Sequence, residues 1–213
     1  MFDGNKMNKI KTKRLVIRPI EQGDSEAIHV YAGSPDIDMM MFLPKETMKD
    51  TEKFVDFAVS EWEKDDPDDR EYVILLDGEI IGGINLEKCE TGNTFEIGWI
   101  IRQDKRGQGF ATEAARALRA YAFINLKADH VQAHCDSRNA ASEGVMKKLG
   151  MTLIDGTGTR TYQRTGITSG EYLYSISRQE YICDEFVTRS QDILKDNLTG
   201  IQYIYNGLDF LSQ

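Results

Sequence analysis

Hydrophobic and polar positions change their spacing several times along this chain, and each change marks a different kind of element. Three apolar stretches between residues 71 and 102 are separated by Asp77-Gly78 and by a turn at 90–93, which predicts antiparallel strands. Elsewhere apolar residues recur every three to four positions, which predicts helices. The predicted strands are 14–20, 71–76, 79–88, 93–102, 130–135, 151–164 and 170–181, and the predicted helices are 25–32, 47–64, 110–126 and 139–150.

The order of these elements indicates the fold class. A strand and two helices precede a three-stranded meander, and then come a helix, a strand, a helix and two strands. This order predicts an α+β fold with a central mixed, mostly antiparallel twisted sheet flanked by helices. Residues 182–213 are too apolar for a solvated terminus, so we expect them to form a mostly helical C-terminal extension.

The composition limits the classes of partner. The 213 residues carry a net charge of −9, which disfavours nucleic-acid binding and weakly favours a basic or amine-bearing partner. No apolar run approaches the ~20 residues of a membrane span, and residues 1–13 lack the apolar stretch of a secretory signal. Three cysteines without close spacing fit a reducing compartment. We therefore expect a cytoplasmic protein without nucleic-acid or membrane partners.

Residues 102–115, RQDKRGQGFATEAA, place two glycines between a predicted strand and a predicted helix. Gly107 and Gly109 let the backbone approach an anion closely, and the unpaired first amides of the helix add the positive end of its dipole. Lys105 and Arg106 add positive charge. The pattern therefore predicts a phosphate-binding loop, although the glycines also suit a tight turn with no ligand.

Three kinds of phosphate site use glycine loops of this sort. A P-loop needs Gly-Lys-Ser/Thr, whereas Gly109 is followed by Phe110 and Ala111. A dinucleotide site needs a third glycine where Thr112 stands, and its fold opens with parallel units, although Asp136 could imitate its ribose-binding acid. The third kind of site binds the pyrophosphate of coenzyme A.

The stretch 104–109, DKRGQG, resembles the coenzyme-binding motif Gln/Arg-x-x-Gly-x-Gly/Ala of the GNAT N-acetyltransferases, with Asp104 in place of the usual Gln or Arg. The sequence GQGFATEA is similar to the RimJ/RimL-like branch, which acetylates the N-terminal amines of ribosomal proteins. TKRLVIRPIEQGD, EIIGGINL, FEIGWII, NAASEGVMKKLGM and GEYLYSISRQEY resemble further landmarks of that branch, in the same order.

The resemblance covers residues 10–181 and implies an acetyl-CoA-binding domain with a GNAT-like fold. It implies acetyl-CoA as cosubstrate and an amine acceptor that is either a small molecule or a protein N-terminus. We expect no metal, on the histidine spacing given below. We expect a monomer or a homodimer. The acceptor cleft of this fold would be lined here by Met39, Met40, Met41, Phe42, Trp62, Tyr162 and Tyr172.

The resemblance also implies residues that hold the coenzyme. In the family, the strand before the glycine loop separates from its neighbour and pairs its backbone with pantetheine, and an amide there would bind the thioester oxygen. Asn139 would hydrogen-bond pantetheine, with a plain N-cap as the alternative. The residues expected to bind the coenzyme are Trp99, Ile100, Ile101, Lys105, Arg106, Gly107, Gln108, Gly109, Ala111, Thr112 and Asn139.

Ser142 and Glu96 are the candidates for proton transfer. Many GNAT enzymes carry a tyrosine acid where this chain has Met146, which cannot donate a proton, so Ser142 or water would protonate the leaving thiolate. Glu96 interrupts the apolar positions of its strand and could accept a proton from an ammonium group, with a solvated strand-face glutamate as the alternative. His130 and His134 share a strand face but lie about 13 Å apart, too far for one metal ion.

These observations predict an N-acetyltransferase that transfers an acetyl group from acetyl-CoA to a primary amine by direct attack. Two alternatives remain open at this point. One is a non-catalytic CoA-binding or interaction module on the same fold. The other is a dinucleotide-binding enzyme.

Overall fold

A computed structural model describes residues 9–34, 45–90, 92–162 and 165–185 of the chain. The strands are β1 (Ile10–Lys11), β2 (Leu15–Pro19), β3 (Asp69–Leu76), β4 (Glu79–Lys88), β5 (Thr94–Ile101), β6 (His130–Asp136), β7 (Thr152–Thr161) and β8 (Thr168–Ser177). The helices are α1 (Ser25–Ala32), α2 (Met48–Trp62), α3 (Phe110–Ile124) and α4 (Ala140–Lys148). Within these residues, every predicted strand and helix is present, and the short strand β1 is additional.

The strands form one sheet in the order β1-β2-β3-β4-β5-β6-β8-β7. Neighbours from β1 to β5 pair antiparallel, as do β7 and β8, whereas β5 and β6 pair parallel through the crossover helix α3. The predicted α+β class with a mixed, mostly antiparallel sheet is therefore confirmed. This is not the doubly wound parallel sheet that a dinucleotide-binding enzyme requires.

The two faces of the sheet carry different helices. Val73 of β3 and Ile100 of β5 belong to a buried apolar cluster with residues of α1 and α2, so their face of the sheet is the α1/α2 face. Alternation along each strand places every second residue of β3, β4 and β5 on that same face. On the opposite face, Tyr121 of α3 lies close enough to Arg70 and Tyr72 for their charges to interact.

Local capping explains where the elements begin and end. Helix α2 begins after a capping box in which the Thr47 side chain accepts from the Asp50 N–H and the Asp50 carboxylate accepts from the Thr47 N–H. The last strand was expected to reach Tyr181 but ends at Ser177. Ser177 starts a helical segment at 178–185, because its hydroxyl accepts from the Glu180 N–H at 3.2 Å and the Glu180 carboxylate accepts from the Ser177 N–H at 2.7 Å.

The chain divides into two units, residues 1–176 and 177–213. The predicted extension at 182–213 is described only as far as residue 185, and Met39–Phe42 also lie outside the described residues. The predicted domain bounds of 10–181 and 182–213 therefore remain predictions. In the described part of the chain, no helix is long and apolar enough to cross a membrane.

Candidate active site

The strands β5 and β6 separate after a short paired stretch. Their pairing covers Thr94–Glu96 and His130–Gln132, whereas β5 remains paired with β4 as far as Ile101. Within the described ranges, the stretch from Ile97 to Ile101 therefore has no ladder partner on the β6 side, and we call this opening the β5–β6 gap. It is the separation that the resemblance implies for the pantetheine-binding strand.

Backbone alternation decides which groups point into the β5–β6 gap. The Gly98 N–H donates to the Asn85 side chain on the β4 side, at 3.0 Å. The N–H and carbonyl of Trp99 and Ile101 consequently point toward β6. A bound chain can pair there with both groups of Trp99 and with the Ile101 N–H, whereas the Ile101 carbonyl already accepts from Arg106 Nε. The Ile100 N–H points toward β4, and its side chain lies in the α1/α2 core cluster. Trp99 and Ile101 are thus the better-placed members of the predicted set.

The glycine loop ends at the first turn of α3. Gly107 and Gly109 have φ angles of +74° and +80°, and Gly109 is the N-cap of α3. A Cβ atom on Gly107 would meet nothing within 4 Å, so the left-handed backbone conformation, not lack of space, requires glycine there. Among the described residues, no acceptor meets the N–H groups from Gly107 to Thr112, which include Gln108 and Ala111. These N–H groups form an unpaired donor set at a helix N-terminus.

The charged residues of the loop are held by their neighbours. Arg106 Nε donates to the Ile101 carbonyl at 2.9 Å, and Lys105 Nζ lies 3.6 Å from Asp104 and 3.9 Å from Glu79. Asp104, the departure from the family motif, accepts hydrogen bonds from Arg102 Nε at 2.6 Å and Arg102 Nη2 at 2.9 Å. These hydrogen bonds lower the pKa of Asp104 to about 2. Its negative charge is therefore compensated by Arg102.

Arg14 anchors the loop from the turn between β1 and β2, a role that the sequence analysis missed. Its guanidinium donates to the Gln108 carbonyl at 3.0 Å and to the Glu113 carboxylate at 2.6 Å, and it lies 4.4 Å from the centroid of the Phe110 ring. Arg14 and Glu113 are 99 residues apart, so no local spacing signals the pair. An open groove of about 600 Å³ lies beside them and contains the cations Lys13, Arg14, Arg116 and Lys148.

Helix α4 presents the other predicted residues. Asn139 is its N-cap, and the Asn139 Oδ1 accepts from the Ser142 N–H at 3.1 Å. The Ser142 side chain is half-buried, and its hydroxyl has no hydrogen-bond partner among the described residues. Met146, in the place of the tyrosine acid of many relatives, is fully buried. Ser142 is therefore the residue of this helix that has a hydroxyl available for donation.

Glu96 lies at the closed end of the β5–β6 gap and is paired with a histidine. Its Oε1 lies 2.9 Å from His134 Nδ1, and its Oε2 lies 3.4 Å from Gln132 Nε2. The hydrogen bond that His134 donates to Glu96 raises the pKa of His134, although burial opposes the shift. Both carboxylate oxygens of Glu96 thus have partners while its side chain is 33% exposed, and its role as a base remains a prediction.

Glu96 also belongs to a row of acidic residues on the α1/α2 face. Asp69 faces Glu87 across β3 and β4, and Glu87 faces Glu96 across β4 and β5. We call these three residues the carboxylate row. Burial and the neighbouring Glu87 raise the pKa of Asp69 to about 6, and burial and Glu96 raise the pKa of Glu87. The row concentrates negative charge beside the β5–β6 gap.

Asp136, the residue that could imitate a ribose-binding acid, has a structural role instead. It is 2% exposed and accepts hydrogen bonds from Arg138, from the Tyr162 hydroxyl at 2.8 Å and from the Ser169 hydroxyl at 2.8 Å. Burial opposes ionisation, but these bonds outweigh it and lower the pKa of Asp136. Across the described ranges, no group of three or more potential metal ligands is found.

Most of the chain matches one known protein family. Residues 14–152 match the family described as acetyltransferase (GNAT) domain. The chain belongs to the GNAT acetyltransferase family. An uncharacterized N-acetyltransferase of Bacillus subtilis, YnaD, is 33% identical over 175 residues, which cover 81% of this chain and 98% of YnaD.

Solved GNAT structures share the fold. An acetyltransferase from Bacillus anthracis has 28% identity and a TM-score of 0.68, and the match covers 80% of this chain and 99% of that one. RimL, the ribosomal L7/L12 α-N-protein acetyltransferase, solved with coenzyme A, has a TM-score of 0.72 at 18% identity, with coverage of 80% and 98%. These GNAT neighbours agree with the resemblance to the RimJ/RimL-like branch. GNAT acetyltransferases use acetyl-CoA, which fits the unpaired donors and the open strand edge of this chain.

Proposed function

We propose that this protein transfers the acetyl group of acetyl-CoA to a primary amine by direct attack of the amine on the thioester. The observation that carries the proposal is the combination of the β5–β6 gap with the unpaired N–H groups of residues 107–112 at its open end. Coenzyme A contains a ligand for each of these features. Its pyrophosphate would bind at the helix N-terminus, and its extended pantetheine arm would lie along β5.

The coenzyme end of the site uses backbone more than side chains. The loop amides from Gly107 to Thr112 would bind the pyrophosphate, with Lys105 and Arg106 supplying charge. Trp99 and Ile101 would pair with the pantetheine arm, and an amide of this strand would bind the developing oxyanion of the thioester carbonyl. The cationic groove beside Arg14 would accommodate the nucleotide end of the coenzyme.

The chemistry needs a neutral amine, a polarised carbonyl and a proton for the departing thiolate. Placing amine and thioester side by side supplies much of the rate, because it removes the entropic cost of bringing them together. Glu96 and its partner lie on the α1/α2 face, where they would receive the ammonium proton. Ser142, whose hydroxyl has no partner in the described part of the chain, would protonate the thiolate.

The charge of the α1/α2 face supports a cationic acceptor. The carboxylate row lines this face, and the whole chain carries a net charge of −9. An acceptor that enters as an ammonium ion is attracted by this field, which increases its local concentration in the cleft. We therefore propose a positively charged amine, either a small molecule or a protein N-terminus, as the acceptor.

The coenzyme site is tested by a matched pair of glycine variants. Gly107→Glu places a carboxylate in the donor set, whereas Gly92→Glu places one at the opposite end of β5, at a glycine that also has a positive φ of 67°. Isothermal titration with CoA should show binding by wild type and by Gly92→Glu, and loss of at least ~100-fold in affinity for Gly107→Glu, because the new charge opposes the phosphates. Equal affinities for the two variants would mean that the loop is only a turn.

A further inference from the structure

The side chains of Glu96 and His134 meet where β5 and β6 part. Glu96 is the last residue of β5 that pairs with β6, and His134 is the first residue on the same face of β6 beyond the paired stretch. The Nδ1 to Oε1 distance of 2.9 Å is that of a hydrogen bond. The pair therefore lies at the closed end of the β5–β6 gap, about 17 Å along the strand from Ile101.

The hydrogen bond fixes the state of the imidazole ring. A carboxylate can only accept, so Nδ1 must carry the proton that is donated to Glu96. The other nitrogen, Nε2, then has a lone pair in the neutral ring, and among the described residues it has no hydrogen-bond partner. The His134 side chain is 22% exposed, so the ring is not fully buried. A carboxylate that orients a histidine in this way is a common device for preparing a base.

Two other charged groups near His134 oppose each other in their effect on the ring. Glu171 of β8 lies close enough to favour the charged ring, and Arg160 of β7, which is bonded to Glu171 at 2.8 Å, opposes it. On β4, Glu87 faces Glu96 rather than His134. Glu96 is the largest influence that raises the pKa of His134. The behaviour of His134 therefore depends mainly on Glu96.

We infer that His134 Nε2 is the group that accepts the ammonium proton of the acceptor, and that Glu96 is a positioning residue that acts through His134. The inference rests on the proposed function and assigns its base. The position fits, because a coenzyme anchored by phosphate at the loop and extended along β5 directs its thioester toward the closed end of the gap. His134 then stands beside the carboxylate row, which would attract an ammonium ion to this face.

The proton balance of the step is complete with these groups. The ammonium gives one proton to Nε2, directly or through a water, and the freed nitrogen lone pair forms the C–N bond to the carbonyl carbon. The tetrahedral species collapses, the C–S bond breaks, and sulfur leaves with the electron pair as thiolate. The nitrogen still carries one proton more than the amide product needs, and this proton passes through Ser142 or water to the thiolate. His134 then returns its proton to solvent.

The pairing is tested first by NMR titration, which does not require turnover. The chain contains only three histidines, so the His134 ring signal is identified by its absence from His134→Gln. Its pKa should lie above the usual 6.5 in wild type and fall in Glu96→Gln, because the variant removes the carboxylate charge. An unchanged pKa in Glu96→Gln would contradict the role given to Glu96.

The catalytic role is tested by kinetics with one fixed amine. His134→Gln should lower kcat by about 100-fold with little change in the KM for acetyl-CoA, whereas His130→Gln, an exposed residue of the same strand, should match wild type. In Glu96→Gln, the acid limb of the plot of kcat/KM against pH should move to lower pH. The shift should match the fall in the His134 pKa measured by NMR. Added imidazole should restore part of the turnover of His134→Ala, which a purely structural loss would not allow.

The outcomes separate this inference from the proposed function. Wild-type turnover with an unaffected His134→Gln overturns the inference and leaves the acetyltransferase intact. An acid limb that stays in place while the NMR pKa moves also overturns it. Absence of turnover by wild type with every amine overturns both.

Discussion

At the residue scale, the site combines a buried Met146 with a Ser142 hydroxyl that has no hydrogen-bond partner among the described residues. Ser142→Ala removes the candidate donor but keeps the Ser142 N–H that bonds Asn139, so α4 remains capped. We expect at least a 10-fold lower kcat, an unchanged CoA affinity and an unchanged melting temperature. Asn139→Ala is the contrasting variant, because it removes the cap and should cost about 1 kcal/mol of stability. Wild-type turnover by Ser142→Ala would assign the proton to water.

At the scale of elements, the carboxylate row should lower the stability of β3. Asp69 has a pKa of about 6, above its usual 3.8, so the folded state favours protonated Asp69 and loses this advantage as the pH rises through 6. Asp69→Asn should therefore raise the free energy of unfolding by up to about 3 kcal/mol at pH 8, and by much less at pH 4.5. Urea unfolding at both pH values measures this, with the exposed Asp68→Asn as control. A gain that is equal at both pH values would contradict the electrostatic explanation.

The elements themselves could be predicted because their signals are local. Apolar spacing located every main strand and helix, and the glycine loop was identified from Gly107 and Gly109. The end of β8 at Ser177 was missed, although the Ser-x-x-Glu pattern from Ser177 to Glu180 is a readable helix start. The contacts of Glu96 with His134, and of Arg14 with Glu113, could not be predicted, because they join residues far apart in sequence and depend on the packing of the sheet.

At the scale of the whole molecule, the net charge and the fold both support acetyl transfer to an amine. The GNAT family assignment gives an acetyltransferase, and the net charge of −9 favours an acceptor that arrives as a cation. The C-terminal extension stays a prediction, as does the choice between monomer and homodimer.

The central claim is that this protein acetylates an amine from acetyl-CoA, and product analysis tests it most directly. Wild-type protein is incubated with acetyl-CoA and a panel of cationic, neutral and peptide amines, while free thiol and acetylated product are quantified, the latter by mass spectrometry. We expect one thiol released for each amine acetylated, a preference for cationic acceptors, and no product with Gly107→Glu. Tight CoA binding without any acetylated product from the panel would contradict the claim and identify a non-catalytic CoA-binding protein.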